Sequence, residues 1–321
     1  MKKRSSEQMK IVFMGTPDFA VGTLRALARA GYEIPLVITQ PDRPRGRKHE
    51  IVDGPVKAAA VSLGIPVCQP EKIRKNPEIF ERLREIKPDM IVVAAFGQII
   101  PENILELPRY GCINVHASLL PAYRGAAPIQ HAILDGCDKS GVTIMRMDRG
   151  LDTGDMIASR EVPITQETTG GSLFDELASV GAQLLVDTIP SIVDGSASYT
   201  PQPAESTTAY ASMISKEMGH IDWTRSASYI ERLVRAMNPW PCAFTETDGR
   251  MLKIWKAHVT DNEGNAAAPG EAVLKPDRSG MSVKCGNGML ALDEVQLAGK
   301  KKMPVADFLR GVHDDGLLFF G

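Results

Sequence analysis

Asn114 and His116 are two polar residues at alternate positions that could carry out chemistry. Their neighbours Cys112, Ile113 and Val115 are apolar and favour a buried β-strand. Strand side chains alternate, so Asn114 and His116 would share a face at the strand's carboxyl end, where open parallel sheets bind ligands. A carboxamide beside an imidazole could polarise a carbonyl and stabilise the negative oxygen formed when it is attacked. Both residues could also be structural, the imidazole satisfied by a backbone carbonyl and the asparagine ending a turn.

The segments that follow two predicted strands should form the walls of this pocket. After residue 116 the chain cannot continue a helix or a strand for long, because a proline removes a backbone donor and restricts the residue before it. A firm loop is therefore predicted, made of Ser118, Leu119, Leu120 and Pro121. The apolar run at 90–95 predicts a central parallel strand covered on both faces. Phe96 and Gly97 follow it and are predicted to form the second wall.

A turn rich in glycine and carboxylates covers residues 147–155 and contains Asp148, Asp152 and Asp155. Three carboxylates so close together could indicate a divalent metal ion. Their spacing does not match a calcium-binding loop, and no cluster of histidine or glutamate supports another metal. We therefore predict no metal site and expect Asp148 and Asp155 to stabilise the turn.

A basic segment at residues 40–50 carries Arg43, Arg45 and Arg47 among prolines and glycines, with no apolar face. It is predicted to be a mobile surface loop. One interpretation is a solvated run of charge. The alternative is that its arginines contact phosphates, because a flexible basic segment can fold onto a nucleic acid.

The surrounding pattern predicts the elements that position these residues. Apolar strands at 9–14 and 34–39 alternate with helices, and a long helix is expected at 168–189. This alternation predicts an α/β fold with a mostly parallel, Rossmann-like sheet. A glycine follows the first strand, but the Gly-x-Gly-x-x-Gly pattern is absent, so dinucleotide binding is weakly supported.

The C-terminal third has a different pattern. Residues 195–215 are rich in proline and hydroxyl side chains and predict an extended linker between domains at 9–194 and 216–321. Several short alternating segments follow, which predict a small antiparallel β-barrel resembling the OB fold. Such barrels often bind oligonucleotides. A basic edge of the predicted barrel consists of Lys300, Lys301 and Lys302. These lysines could contact an oligonucleotide or could merely keep the surface soluble.

Composition limits the possible classes of protein. The chain has 321 residues, 43% of them hydrophobic, and a net charge of −2, which excludes a generally basic nucleic-acid-binding protein. Five scattered cysteines without a Cys-x-x-Cys pair argue against a disulfide framework and against zinc. No signal peptide or membrane-spanning stretch is recognised, so we expect a cytoplasmic protein, without membrane contact and monomeric.

Several motifs together resemble one family. Residues 114–125 read Asn-x-His-x-Ser-Leu-Leu-Pro-x-Tyr-Arg-Gly, which is similar to the signature of the folate-dependent formyltransferases. Two further motifs resemble those of the members that act on methionyl-initiator tRNA. They are Gly-Thr-Pro-Asp-Phe-Ala at 15–20 and Asp-Arg-Pro-x-Gly-Arg at 42–47. Asn-Pro-Trp-Pro at 238–241 resembles those members too, while Leu-Asp-Thr-Gly-Asp at 151–155 resembles the formyltransferase family as a whole.

The resemblance covers residues 9–310 and implies a function. It implies transfer of a formyl group from 10-formyltetrahydrofolate to the amine of methionyl-initiator tRNA. Asn114, His116 and Asp152 would be catalytic, and the carboxylate of Asp152 would keep the imidazole of His116 protonated. The two predicted walls would hold the folate. Arg47 would be the main tRNA contact of the basic segment, with Arg43 and Arg45 beside it.

One departure and three alternatives remain at this point. Family members usually continue the basic segment with Gly-Lys-Lys, whereas this chain has Lys48-His49-Glu50. A glycinamide ribonucleotide transformylase shares the signature but needs neither the barrel nor the basic segment. A formyltransferase for nucleotide-linked amino sugars can share both domains, although the Asp-Arg-Pro-x-Gly-Arg insertion argues against it. An RNA-binding module with a vestigial folate pocket would not need all three catalytic residues.

Overall fold

The computed structural model describes residues 9–45, 50–260, 268–311 and Phe320. These residues form two compact units. The first contains the described residues up to Pro128, together with Lys139–Pro163 and Phe174–Ala211. The second contains Ile129–Asp138, Ile164–Leu173 and the described residues from Ser212 onward.

The first unit is built on a seven-stranded sheet with helices. The strands of this part of the chain are β1 (Ile11–Gly15), β2 (Val37–Ile38), β3 (Pro44–Arg45), β4 (Glu50–Ile51), β5 (Val67–Cys68), β6 (Met90–Ala94), β7 (Cys112–His116), β8 (Lys139–Arg146) and β9 (Met156–Pro163). The helices of this part of the chain are α1 (Asp18–Arg29), α2 (Pro55–Ser62), α3 (Pro77–Ile86), α4 (Glu102–Leu105), α5 (Pro128–Leu134) and α6 (Gly170–Asp194), with a 3-10 turn at Ile73–Lys75. Of these, α5 apart from Pro128 and the first residues of α6 belong to the second unit.

The strand order of this sheet is β5-β2-β1-β6-β7-β8-β9. The first five strands run parallel to one another, and β8 and β9 are antiparallel additions. Every residue of β1, β6 and β7 is buried, as continuous apolar strands in a covered parallel sheet should be. The predicted mostly parallel, Rossmann-like sheet is confirmed.

Helix α6 packs against the strand that carries Asn114 and His116. A Cβ atom placed on Gly181 would lie 2.8 Å from Val115 Cγ1, so the helix backbone is very close to β7. The helix was predicted to end before Pro190 but continues to Asp194. Proline removes one helical hydrogen bond, yet Ile192 beyond it is buried, and this packing favours continuation.

By length and composition, α6 is the one helix in the described part of the chain that could cross a membrane. Within its most apolar 18 residues, 44% are buried inside the protein. Its residues Leu177 and Leu185 are fully buried, which is the pattern of a core helix.

The second unit contains a six-stranded antiparallel sheet. Its strands are β10 (Ala243–Thr247), β11 (Arg250–Thr260), β12 (Ala272–Leu274), β13 (Met281–Lys284), β14 (Met289–Leu297) and β15 (Met303–Pro304). The order is β10-β11-β14-β13-β12, and β15 pairs with β14. The predicted antiparallel domain is confirmed, and the sheet is consistent with a small barrel.

Two helices, α7 (Ala227–Ala236) and α8 (Val305–Arg310), and a 3-10 turn at Glu217–Gly219 complete the second unit. The hydroxyl of Ser226 accepts a hydrogen bond from Tyr229 N and caps α7. This satisfies one of the donors that a helix start leaves unpaired.

The segment predicted to be a linker, residues 195–215, has no named helix or strand. It is nevertheless fixed on the first unit by isolated bridges, from Thr200 to Met156 and from Ala211 to Gly125. Its irregular backbone therefore finds hydrogen-bond partners at the start of β9 and in the loop after β7.

Candidate active site

Asn114 and His116 lie on one face of β7, as the alternation predicts, and are 7% and 6% exposed. In the sheet, Asn114 pairs with Val93 of the parallel β6, and His116 pairs with Thr143 of the antiparallel β8. The polar pair therefore occupies the edge at which β6 and β7 both end. Among the described residues, none hydrogen-bonds to the carboxamide of Asn114. A buried amide of this kind is available for a ligand.

The imidazole of His116 lies between two acceptors. Its Nε2 is 3.1 Å from the backbone oxygen of Tyr123, and its Nδ1 is 3.7 Å from Asp152 Oδ1. A carbonyl oxygen only accepts, so Nε2 must carry a proton, and Nδ1 then faces a carboxylate. This separation of 3.7 Å allows an ion pair with Asp152 when Nδ1 is also protonated.

Asp152 reaches His116 from the turn between β8 and β9. Its backbone is in the left-handed region, with φ of 55°, a conformation that aspartate tolerates better than most residues. Its second carboxylate oxygen accepts a hydrogen bond of 3.0 Å from Gly125 N. This contact fixes the carboxylate beside the imidazole.

The other carboxylates of this turn have different roles. Asp148 Oδ1 accepts hydrogen bonds from Gly150 N and Thr153 Oγ1, at 3.0 and 2.7 Å, and so closes its own turn. Asp155 contributes its backbone oxygen to Arg146 N. Among the described residues, no group of three or more histidine, cysteine, aspartate or glutamate side chains could hold a metal ion.

The loop after β7 is held from within. The hydroxyl of Ser118 donates to the backbone oxygen of Ala122 at 2.6 Å, and Thr143 Oγ1 donates to Ser118 O at 2.7 Å. Leu120 N donates in turn to Thr143 Oγ1. Ser118 and Leu120 are buried, whereas Leu119 and Pro121 are partly exposed. The sequence reasoning missed Thr143, although a hydroxyl in an otherwise apolar strand was a signal that it has a partner.

The second predicted wall of the pocket follows β6 and is formed by backbone atoms. The oxygen of Phe96 accepts hydrogen bonds from Thr16 Oγ1 and Gln40 Nε2, both at 3.0 Å, while the Phe96 ring is buried in the core. Gly97 follows with a positive φ, and a Cβ there would meet Gln40 Nε2 at 2.4 Å. The loops after β1, β2 and β6 thus converge at one end of the sheet. Thr16 and Gln40 were not predicted, because no pattern in the sequence links them to residue 96.

The basic segment contains the short hairpin of β3 and β4, where the sequence predicts a mobile loop. Arg43 is exposed before it. The side chain of Arg45 and the whole of Arg47 lie outside the described residues. At the base of the hairpin, Asp42 accepts hydrogen bonds from Lys57 and from Gly54 N, and the Lys57 contact chiefly lowers the pKa of that carboxyl.

The three lysines of the second unit differ in their surroundings. Lys302 Nζ lies 2.7 Å from Glu294 Oε2 and 5.5 Å above the Trp255 ring. Lys300 and Lys301 are exposed, and neither ammonium group pairs with an acid among the described residues. The charge of Lys302 is therefore partly neutralised, whereas the other two are available.

The comparisons with known proteins identify the family. The formyl transferase family matches residues 9–189, and the formyl transferase C-terminal domain family matches residues 213–313. A protein from Agathobacter rectalis named methionyl-tRNA formyltransferase is 54% identical over 312 residues, which are 97% of this chain and 99% of that protein. The chain belongs to the methionyl-tRNA formyltransferase family. A second member, from Lachnospira eligens, is 51% identical over 307 residues, with 94% and 96% covered. The resemblance noted in the motifs is confirmed.

Solved structures with the family fold are more distant in sequence. HypX from Aquifex aeolicus in complex with tetrahydrofolic acid matches with a TM-score of 0.62 at 19% identity, covering 98% of this chain and 51% of that one. An N-formyltransferase from Helicobacter canadensis, in complex with folinic acid and dTDP-3-aminofucose, gives a TM-score of 0.64 at 20% identity, covering 92% and 100%. At this identity the similarity describes the fold alone.

Proposed function

We propose that this protein transfers the formyl group of 10-formyltetrahydrofolate to the free amine of methionyl-initiator tRNA, giving N-formylmethionyl-tRNA for translation initiation. The observation that carries the proposal is the buried, unpartnered carboxamide of Asn114 on the same strand face as the His116–Asp152 pair. Relatives of about 50% identity over nearly the whole chain that are named methionyl-tRNA formyltransferase support it.

The donor set fits a formyl group. The amide of Asn114 and a protonated imidazole are both hydrogen-bond donors, and a carbonyl oxygen that gains negative charge requires donors. The cosubstrate, when bound, supplies an activated formyl carbon. The contact from His116 Nε2 to Tyr123 O occupies the donor of that nitrogen in the described structure. We propose that binding exchanges this contact for the formyl oxygen.

The residues of this chain then have separate tasks. Asn114 and His116 donate hydrogen bonds to the formyl oxygen as the amine of the charged tRNA attacks the formyl carbon. Asp152 accepts the proton that the amine loses, directly or through a water molecule, while its carboxylate holds the imidazole of His116 in place. The bond from the formyl carbon to the folate nitrogen breaks, and that nitrogen receives a proton.

The binding surfaces are part of the same proposal. The folate lies between the loop after β7 and the backbone after β6. The residues assigned to it are Ser118, Leu119, Leu120, Pro121, Phe96 and Gly97. The tRNA contacts basic side chains of both units, for which we propose Arg43, Arg45, Arg47, Lys300, Lys301 and Lys302. The division into a catalytic domain at 9–194, a linker at 195–215 and a tRNA-binding domain at 216–321 belongs to this proposal, as does a monomer in the cytoplasm without membrane contact.

A test offers the purified protein labelled 10-formyltetrahydrofolate with four acceptors in parallel. These are methionyl-initiator tRNA, free methionine, glycinamide ribonucleotide and an amino-sugar nucleotide. The proposal predicts label on the charged tRNA alone. Label on a small acceptor would retain the catalytic residues and overturn the tRNA assignment, whereas tRNA binding without any transfer would indicate a binding module.

A further inference from the structure

The segment that follows α6 contacts both the loop after β7 and the turn that carries Asp152. Residues 200–211, here called the strap, reach the loop after β7 through Ser206 Oγ, which donates to Pro121 O at 2.7 Å. Thr208 Oγ1 accepts a hydrogen bond of 2.7 Å from Tyr123 N, one residue from the signature arginine. The backbone of Ala211 pairs with that of residues 124–127. The strap therefore restrains this loop along most of its length.

Gln202 connects the strap to the turn between β8 and β9, which carries Asp152. Its side-chain Nε2 donates to Asp152 O at 2.9 Å and to Gly154 O at 2.7 Å. Its Oε1 accepts from the guanidinium of Arg124. Carbonyl oxygens only accept and a guanidinium only donates, so the orientation of the Gln202 amide is determined by its partners. Both of its polar atoms are fully used.

The burial of Arg124 explains why the side-chain amide of Gln202 is held firmly. The arginine is 6% exposed, and within the described part of the chain no carboxylate forms an ion pair with it. Its guanidinium donates to Gln202 Oε1, at 3.1 and 3.0 Å, to Pro203 O at 2.7 Å and to Ala204 O at 3.1 Å. Burying a charge costs free energy unless hydrogen bonds offset it. Here every partner belongs to the strap, so the signature arginine stabilises the strap.

Gly125 shows how close the strap is to Asp152. The φ of Gly125 is 130°, and a Cβ there would lie 2.5 Å from the backbone oxygen of Ala211. The N–H of the same glycine donates to the carboxylate of Asp152. The catalytic carboxylate is thus restrained from its backbone by Gln202 and from its side chain by Gly125, and the strap determines the position of both.

We propose that Gln202, held by Arg124, is a positioning residue that aims the carboxylate of Asp152 at His116. The inference rests on the proposed function, because it assigns Gln202 a task in formyl transfer. It gives the segment between the two domains a part in the active site. Gln202 does not touch substrate and acts only through Asp152.

The test uses two substitutions of Gln202 in the full-length protein. Gln202→Glu keeps the size of the side chain and the contact with Arg124, but it has no donor for the two carbonyl oxygens of Asp152 and Gly154. Gln202→Ala removes the contacts with Arg124 and with these carbonyl oxygens. We expect kcat for methionyl-tRNA formylation to fall by about 10²-fold in Gln202→Glu, because a small misplacement of a catalytic group has that effect, with a smaller change in KM. Gln183→Ala is the matched control, since Gln183 makes one exposed hydrogen bond to Asp187.

A second measurement separates positioning from a general loss of structure. In an Asp152→Asn background, Gln202→Glu should cost little further rate, because the group that it positions is already lost. Equal losses in both backgrounds, or a wild-type rate in Gln202→Glu, would overturn the inference.

The ¹⁵N signal of the His116 ring gives a readout without turnover. It should shift in Gln202→Glu and not in Gln183→Ala, and an unchanged signal would refute the positioning role even if the protein transfers no formyl group.

Discussion

At the scale of single residues, the site depends on one buried amide and one ion pair. Asn114 has no hydrogen-bond partner among the described residues, whereas His116 Nε2 hydrogen-bonds to Tyr123 O and His116 Nδ1 lies 3.7 Å from Asp152 Oδ1. The difference separates their tasks. The amide of Asn114 is available to a ligand, and the imidazole of His116 is held in its orientation.

Asn114→Ala should therefore reduce the rate of formyl transfer without removing the binding site. Loss of one donor to a developing oxyanion costs about 10²–10³ in kcat, or roughly 3–4 kcal/mol. The dissociation constant of the folate, measured by fluorescence or calorimetry, should change far less than kcat. Near-normal turnover with intact folate binding would show that Asn114 is not catalytic. Asn103→Ala, which alters an exposed asparagine of α4, is the control.

Asp152→Asn should change the shape of the pH–rate profile as well as its height. The amide cannot accept a proton from the attacking amine, and it no longer pairs with the imidazolium of His116. The profile of kcat/KM should lose the limb that requires the carboxylate. Asp148→Asn is the matched control, because Asp148 closes its own turn. Identical profiles for wild type and Asp152→Asn would count against a role in proton transfer.

The sequence predicts the residues of the site better than the contacts that support them. Alternation along a strand places Asn114 and His116 on one face, and the structure agrees. The contribution of Gln202 could not be predicted, because it comes from a segment 50 residues beyond Asp152 whose composition indicates only a linker. Thr143 and Gln40 were missed for the same reason. Contacts between distant segments depend on the tertiary fold, and local sequence patterns do not predict them.

At the scale of elements, the position of β7 depends on the helix that covers it. Helix α6 approaches β7 at Gly181, where a Cβ would lie 2.8 Å from Val115 Cγ1 and 3.2 Å from Val142 Cγ1. Val115 stands between Asn114 and His116, the two residues of this strand that we propose to be catalytic. Close packing therefore links the stability of the sheet to the geometry of the site.

Gly181→Ala should lower the free energy of unfolding. Alanine gains about 1 kcal/mol over glycine in a helix interior. Overpacking against stiff valines costs about 1–3 kcal/mol, so the cost of overpacking should exceed the gain in helix propensity. Gly22→Ala is the control, because the nearest atom to its Cβ would be 3.6 Å away, and it should be neutral or stabilising. Urea denaturation would measure both variants, and greater stability of Gly181→Ala would contradict the packing argument.

The base of the β3–β4 hairpin should be sensitive to acid. The hydrogen bond from Lys57 lowers the pKa of Asp42, so the unfolded chain binds a proton at a higher pH than the folded chain does. The stabilisation is complete above the ordinary pKa of aspartate, about 4, and is lost as the pH falls through the folded value. Asp42→Asn should lower the free energy of unfolding at pH 7 and flatten its decline below about pH 4. Asp53→Asn, which alters an exposed partner of Lys57, should have a smaller effect, and equal effects would refute the assignment.

The elements themselves were largely predictable. Apolar runs such as residues 90–94 are buried on both faces, and such runs identify central parallel strands. The end of α6 was not predictable, because Pro190 indicates a helix end and burial of Ile192 outweighs it. The short pairing of β3 with β4 was missed because arginine, proline and glycine dominate that segment.

At the scale of the whole molecule, a net charge of −2 means that tRNA binding must depend on local basic surfaces. Three consecutive lysines precede β15, but one of them already pairs with Glu294. Their contributions to binding should therefore differ, even though they are adjacent in sequence.

Lys300→Ala and Lys301→Ala should each reduce the salt dependence of tRNA binding. One phosphate contact contributes about 1 to the slope of log K against log salt concentration. Lys302→Ala should reduce the slope less, because Glu294 neutralises that charge. Binding measured by fluorescence anisotropy over a range of salt concentrations gives the three slopes. Three unchanged slopes would remove this edge of the protein from the tRNA-binding surface.

In the proposed reaction, residues at the buried end of β7 transfer a formyl group to the amine of a charged tRNA. Single-turnover formylation of methionyl-initiator tRNA, with labelled 10-formyltetrahydrofolate in excess, tests it most directly when wild type and His116→Ala are compared. Wild type should give N-formylmethionyl-tRNA, and the variant should give it about 10²–10³-fold more slowly while still binding both substrates. No product from wild type, or equal rates for the two proteins, would contradict this proposal.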